Sequence, residues 1–356
     1  MLRRVSLLAA PCALALAFGV GSPEPALLVD RALPPSNTSR AAGSTQANSR
    51  VGWSAADNVY VADHFMVGAS GEVWVIDKVR VWAVPGLGPD QSETLGDLFE
   101  RISLYGGLES ENPPATPQAA AAECACHGPV KIAWTDLRPG SNTSADKQVL
   151  FTPVQYSDGS SYREDGRSLS IWQADFQGLH WSVPGGTNVL FGVYGAGRTG
   201  TRRQERPVWF AHASAAADKH QFRLFDTTGQ PVVPTEGSAL LQAQSLAFNV
   251  QVWGHLTANI AIHSQGRLWQ VALLGGPAFD VRQVDAASLR FGPKEIPPAD
   301  SAVEDLNGDG HPDLVLHFGA SESGAQPAQL TACLQGVRTD GTPFEGCDML
   351  AAPGKR

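Results

Sequence analysis

Glu72–Val84 reads EVWVIDKVRVWAV. It has no proline or glycine and is dense in Val, Ile and Trp, the side chains that suit a pleated, half-buried surface. On a period of two, Val73, Val75, Asp77, Val79, Val81 and Ala83 share one face, and that face reads as core. The other face carries Trp74, Ile76, Lys78, Arg80, Trp82 and Val84. Its basic middle between two tryptophans is read as sheet-edge packing, with a sugar-stacking platform as the alternative.

Similar short segments lie on either side. Val59–Phe65 and Phe99–Tyr105 flank this stretch, and Val130–Leu137, Lys147–Tyr156, Leu169–Phe176, Leu179–Val183, Val189–Tyr194 and Pro207–His212 follow it. They are punctuated by PGS, SDGS, EDGR, PGG and GAGR, the turn chemistry of joined strands. Across 356 residues there are 37 Gly and 25 Pro, and only 17% of residues are charged. That balance favours many short strands over long amphipathic helices. The expected fold is all-β, with two β-sandwich or jelly-roll-like domains.

The formal net charge is -9 and no basic stripe stands out, so no nucleic-acid partner is expected. MLRR followed by the apolar run Val5–Val20 has the form of a secretory signal, with cleavage near Gly21 or Ala26. The expected division is a signal peptide over 1–26, an N-terminal domain over 27–236 and a C-terminal domain over 237–356, the last starting after the linker-like PVVPTEGS. No later run of about twenty apolar residues predicts a transmembrane segment, and a secreted, extracellular protein is expected. Without Cys12 the chain keeps Cys124, Cys126, Cys333 and Cys347. Cys333 and Cys347 bracket LQGVRTDGTPFEG, a strand-turn-strand pattern. A bridge there would contribute about 3 kcal/mol through loop closure. Cys124 and Cys126, beside His127 in ECACHG, are left open between a bridge, free thiols and a metal site.

The second informative stretch is Asp305–Phe318, DLNGDGHPDLVLHF. Asp305, Asn307, Asp309 and Asp313 offer side-chain oxygens, His311 offers its backbone carbonyl, and Gly310 allows a sharp turn. Alternating oxygen donors on a tight loop suit one structural Ca2+. A twelve-residue EF-hand would end on a bidentate Glu, but that position is Leu316, and the following LVLHF reads as a strand.

From Ala258 onward, ANIAIHSQGRLWQVALLGGPAFDVRQVDAASLRFGP, AVEDLNGDGHPDLVLHF and ACLQGVRTDGTPFEGCDML succeed one another. In that order they resemble a C-terminal domain found in secreted bacterial proteins of unassigned function. The loop is similar to those of FG-GAP repeats and dockerins, but it occurs once, and both of those architectures need repeats. The resemblance implies a calcium-stabilised extracellular β module.

The aromatic segment IWQADFQGLHWSV and the later WFAH suggest Trp172, Trp181 and Trp209 as a ligand-stacking set. His180 and His212 lack any accompanying catalytic motif and are read as structural. Asp175, Glu164 and Asp165 are the acid–base candidates for a jelly-roll glycoside hydrolase or lyase. The leading expectation is a non-enzymatic binding or cell-surface module, with a polysaccharide or cell-surface component as partner. A carbohydrate-binding module is the alternative, and the hydrolase or lyase ranks below it.

Overall fold

The computed structural model describes residues 24–37, 48–51, 58–85, 94–108, 129–144, 149–198, 207–215, 222–232, 246–325 and 331–350. The expected signal segment up to residue 23, the PVVPTEGS stretch from residue 233 onward, and Cys124, Cys126 and His127 lie outside the described residues. In chain order the first strands are β1 Ala26–Arg31, β2 Ser49–Val51, β3 Val59–Met66, β4 Val73–Ala83, β5 Phe99–Leu108, β6 Val130–Asp136 and β7 Val149–Val154. They are followed by β8 Tyr162–Glu164, β9 Arg167–Leu169, β10 Ile171–Pro184, β11 Asn188–Gly197, β12 Ala211–Ala215, β13 Arg223–Asp226, β14 Leu246–Phe248 and β15 Val250–Thr257. The last are β16 Ile260–Gln265, β17 Leu268–Leu273, β18 Arg290–Phe291, β19 Asp300–Glu304, β20 Asp313–Gly319, β21 Thr331–Val337 and β22 Pro343–Met349. The fold is all-β.

β4 is the hub of the largest sheet, pairing antiparallel with β10 along its length and with β15 over Trp74–Val81. β15 continues into β22 by a short parallel pairing, and β22 into β21 by an antiparallel one. A five-stranded sheet in the order β13-β3-β11-β5-β6 shares its apolar core, and β16-β17-β20-β19 form a four-stranded sheet. Val79, Val81, Phe176, Phe65, Phe191, Ile102 and Leu104 belong to one buried cluster that continues to Trp269, Leu316, Phe318, Leu334 and Phe344. The apolar core therefore runs through both halves of the chain.

One expectation, the faces of β4, needs correction. Both ladders skip Asp77: β10 pairs Gln177 with Lys78 and then Trp181 with Ile76, while β15 pairs Trp253 with Lys78 and then Gly254 with Ile76. Asp77 is thus the extra residue of a β-bulge, which reverses the alternation at that point. Trp74 and Ile76 consequently share the core cluster with Val79, Val81 and Ala83, whereas strict alternation puts them on opposite faces. The boundary expected at 236/237 falls before β14 and β15, which pair with β12, β4 and β1 in the main sheet. The separate four-stranded sheet begins only at Ile260.

A buried carboxylate ties these distant segments together. Asp63 on β3 is fully buried; it accepts from the Arg31 guanidinium at 3.0 Å and from the backbone N–H of Phe248 at 2.8 Å. One side chain thereby joins β1, β3 and β14. Removing it leaves a cation and a backbone donor without their acceptor in a place water reaches poorly. Asp63→Ala is expected to lose about 3 kcal/mol in urea unfolding; a loss below about 0.5 kcal/mol, typical of surface positions, would contradict this role.

Candidate functional site

The acidic loop is the turn of the β19–β20 hairpin, closed by the pairing of Glu304 with Asp313. Asp305 organises its near side. Oδ1 accepts the backbone N–H of Gly308 at 2.8 Å and Oδ2 that of Gly310 at 3.0 Å. Asp309 accepts the N–H of His311 at 2.8 Å and an amide N–H of Asn307 at 3.0 Å. These bonds, the first chief among them, hold the exposed Asp309 carboxyl below its ordinary pKa. Gly308 and Gly310 have φ of 76° and 87°, the left-handed turns that the glycines permit.

Asp313 differs from the other loop carboxylates. It is fully buried, and its two oxygens accept from Gly275 at 2.8 Å and from Leu306 at 2.9 Å. It anchors the loop to the segment after β17, where the chains approach so closely that a Cβ on Gly275 would lie 2.1 Å from the Pro312 carbonyl oxygen. The donors of Asp305, Asn307, Asp309, Asp313 and the His311 carbonyl are all oxygen, the chemistry calcium prefers. Among the described residues, however, the one group of three Asp, Glu, His or Cys ligand atoms lying within 4.8 Å of one another is Cys333, Glu345 and Cys347. No three of the loop's Asp and His side chains bring their ligand atoms that close together.

Cys333 and Cys347 are register partners across β21 and β22 and form a disulfide, the bridge expected from their spacing. They lie beside an arrangement that the sequence does not announce. Asp77, at the bulge of β4, receives a hydrogen bond from Nδ1 of the buried His255 on β15 at 2.7 Å. An ionised carboxylate only accepts, so Nδ1 carries a proton toward Asp77. Nε2 of the same ring lies 3.6 Å from Glu345 Oε2 on β22. Burial pushes the Glu345 carboxyl above its ordinary pKa and Asp77 adds to the rise, while His255 and His180 act against it. His180 has φ 46° and sits in the irregular part of β10 that faces the bulge. The row therefore crosses β10, β4, β15, β22 and β21.

The tryptophan set is not an exposed platform. Trp172 and Trp209 are each only 5% exposed and lie in the main core, with Trp209 packed at 6.0 Å against Phe99. Trp181 is half-buried and meets Phe65 edge-on at 6.1 Å. Large rings are the most efficient way to fill this inter-sheet space, which is why the aromatic segment is core rather than a stacking face. Among the described tryptophans, Trp134 on β6, 53% exposed, is the one that presents its ring to solvent, with the Lys131 ammonium 5.8 Å from the ring centre.

The acid–base candidates are dispersed among other partners. Asp175 is held by Arg80 at 2.6 Å and Lys78 at 3.2 Å. Glu164 pairs with Arg50 at 2.6 Å, and Asp165 occupies the β8–β9 turn with φ 49°. His212 is wholly buried: Nδ1 donates to Asn249 Oδ1 at 2.7 Å, and the Tyr156 hydroxyl donates to Nε2 at 2.7 Å.

No protein-family model matches the chain, and a search of curated proteins finds no match.

Burial lowers the His212 pKa to about 4, so the folded state holds it neutral. The unfolded chain takes up this proton at the ordinary histidine pKa of about 6.5. Stability should therefore fall as pH drops from about 6.5 toward about 4, by at most about 1.4 kcal/mol per pH unit from this group. Urea unfolding at about pH 7 and about pH 5 is expected to show a larger loss for wild type than for His212→Gln. Equal losses would contradict the assignment.

Proposed function

We propose that this is a secreted, non-enzymatic β protein of two sandwich-like parts, whose C-terminal part is held by one calcium ion and one disulfide and which serves as a binding or cell-surface interaction module. The observation that carries the reading is the hairpin loop Asp305–Asp313, an all-oxygen donor set on a turn whose last carboxylate is buried and tied to Gly275 and Leu306. A bound ion would draw Asp305, Asn307 and Asp309 together and relieve the mutual repulsion of the loop carboxylates. Asp313 would transmit that ordering to β17 and β20, the middle strands of the four-stranded sheet. Extracellular loops of this kind bind calcium at roughly 10⁻⁴ to 10⁻³ M, which suits a structural ion rather than a signal. The cationic partners of Asp175 and Glu164 support a non-catalytic reading. The signal-like N-terminus and the disulfide support an oxidising, extracellular destination.

Carbohydrate binding is the second reading. With Trp172 and Trp209 buried, the exposed Trp134 beside Lys131 is the feature that favours it.

Saturating calcium is expected to add about 1 to 3 kcal/mol by mass action, so the protein should melt several degrees higher in calcium than in chelator. Asp309→Ala should melt at the same temperature in both. Identical wild-type melts with calcium and with chelator would overturn the calcium reading.

A further inference from the structure

We propose that the free edge of β19, Asp300–Glu304, docks an extended basic peptide segment as an added strand of the sheet β16-β17-β20-β19. The inference rests on the reading of the protein as an interaction module and names its surface and the partner's chemistry. It does not depend on the calcium ion.

β19 is the outermost strand of its sheet, and among the described residues no strand pairs with its far side. The opposite margin, β16, is braced instead, since the Ile262 N–H donates to Asp348 Oδ2 at 3.1 Å. All five residues of β19 are exposed, and its register against β20 is regular from Asp300 opposite His317 to Glu304 opposite Asp313. Exposed edges are ordinarily blunted by a lysine, a proline or a bulge; β19 has none of these. A row of backbone N–H and C=O groups is left facing solvent, which is the template for strand addition. The strand is also held in place before a partner arrives. At one end the Ala299 N–H donates to the His317 carbonyl at 2.8 Å and His317 Nδ1 donates to Asp300. Just beyond the other end, Asp313 accepts the Leu306 N–H at 2.9 Å. Such preorganisation lowers the ordering cost of binding.

Charge selects the occupant. Residues 295–318 hold six carboxylates and no lysine or arginine. Asp300, Ala302 and Glu304 share one face of β19, with Ser301 and Val303 on the other. A second copy of this chain is a poor partner. Antiparallel pairing centred on Ala302 sets Asp300 against Glu304, and parallel pairing sets each carboxylate against its own copy; like charges directly opposed destabilise a ladder. A strand with one lysine or arginine opposite Asp300 and another opposite Glu304 turns both contacts favourable. Val303, 55% exposed and opposite the core residue Leu314, offers that strand an apolar neighbour. The fitting partner is therefore an extended segment with basic residues at the two matching positions and β-branched residues between them.

The probe is an end-capped, dye-labelled peptide, Thr-Lys-Val-Thr-Thr-Lys-Thr, followed by fluorescence anisotropy with the full chain in excess calcium. It should bind wild type. The Asp300→Lys/Glu304→Lys variant should bind it at least about tenfold more weakly and gain the counterpart with glutamate in place of both lysines. Both substituted side chains are exposed, so this variant should keep the wild-type circular dichroism. Two further peptides test strand addition on the wild-type chain itself. N-methylation of one alternating set of peptide amides should abolish binding and methylation of the other set should not, because an added strand turns one edge to its host. The proposal is overturned if the lysine peptide does not bind, or if the charge swap leaves its binding unchanged. It is equally overturned if the two methylated peptides behave alike, the mark of charge attraction without strand pairing, or if the wild-type chain dimerises through this edge. Failed docking beside a calcium-raised melting temperature removes this surface alone, and intact docking beside a calcium-independent melt removes the ion alone.

Discussion

The β-bulge at Asp77 is the constraint on which the rest of the structure depends. β4 lies between β10 and β15, so every residue of its core face must match two neighbours. A strict two-residue repeat through VWVIDKVRVWA would bury Trp74 and Ile76 on one side and Val79 and Val81 on the other. One unpaired residue resolves the conflict: all four enter the same core, and Lys78 and Arg80 turn outward to Asp175 and Trp253. Burying a large aliphatic or aromatic side chain is worth about 1.5 to 3 kcal/mol. Moving two such residues into the core outweighs the hydrogen bonds lost at a bulge, each worth about 1 kcal/mol net. The same distortion brings the Asp77 carboxylate to His255, so the packing solution also builds the histidine-carboxylate row.

Buried polar groups act elsewhere as joints between segments far apart in sequence. Asp63 links β1, β3 and β14, and Asp313 fixes the acidic loop to the end of β17. His212 is bonded to Tyr156 and Asn249, and the Asn249 amide in turn donates to the carbonyl of Ala32 at 2.6 Å. Such groups have few alternative partners in an apolar interior, and leaving one unmatched costs about 1 to 3 kcal/mol. They add specificity to a core that hydrophobic burial alone would define loosely.

Much of the strand pattern is legible in the residues, because β-branched and aromatic runs between turn dipeptides have few other uses. Val59–Phe65 corresponds to β3, and the pairing of Cys333 with Cys347 follows from two short strands around a turn. The separate strands expected at Leu169–Phe176 and Leu179–Val183 are one strand, β10, interrupted at Gly178–His180 by an irregularity facing Asp77. Neither irregularity is legible in advance, since a bulge is selected by both neighbouring strands and not by local preference. Tertiary packing likewise decides that Trp172 and Trp209 are core, whereas their spacing is equally compatible with a stacking face. The contact between Asp77 and His255 spans 178 residues and follows no motif spacing. Composition locates a linker-like stretch near residue 237, but it does not reveal that β14 and β15 beyond it pair with the first sheet.

The histidine-carboxylate row makes the most exposed claim about chemistry, because it fixes the position of a single proton. Nitrogen-15 NMR of the His255 side chain at alkaline pH, where imidazoles are neutral, measures that position directly. The bulge geometry predicts the Nδ1–H tautomer, with Nε2 unprotonated toward Glu345, and a tautomer signature that changes in Asp77→Asn. A His255 ring protonated on Nε2, or one averaging rapidly between tautomers as an exposed imidazole does, would contradict the placement of Asp77 and with it the arrangement of β4.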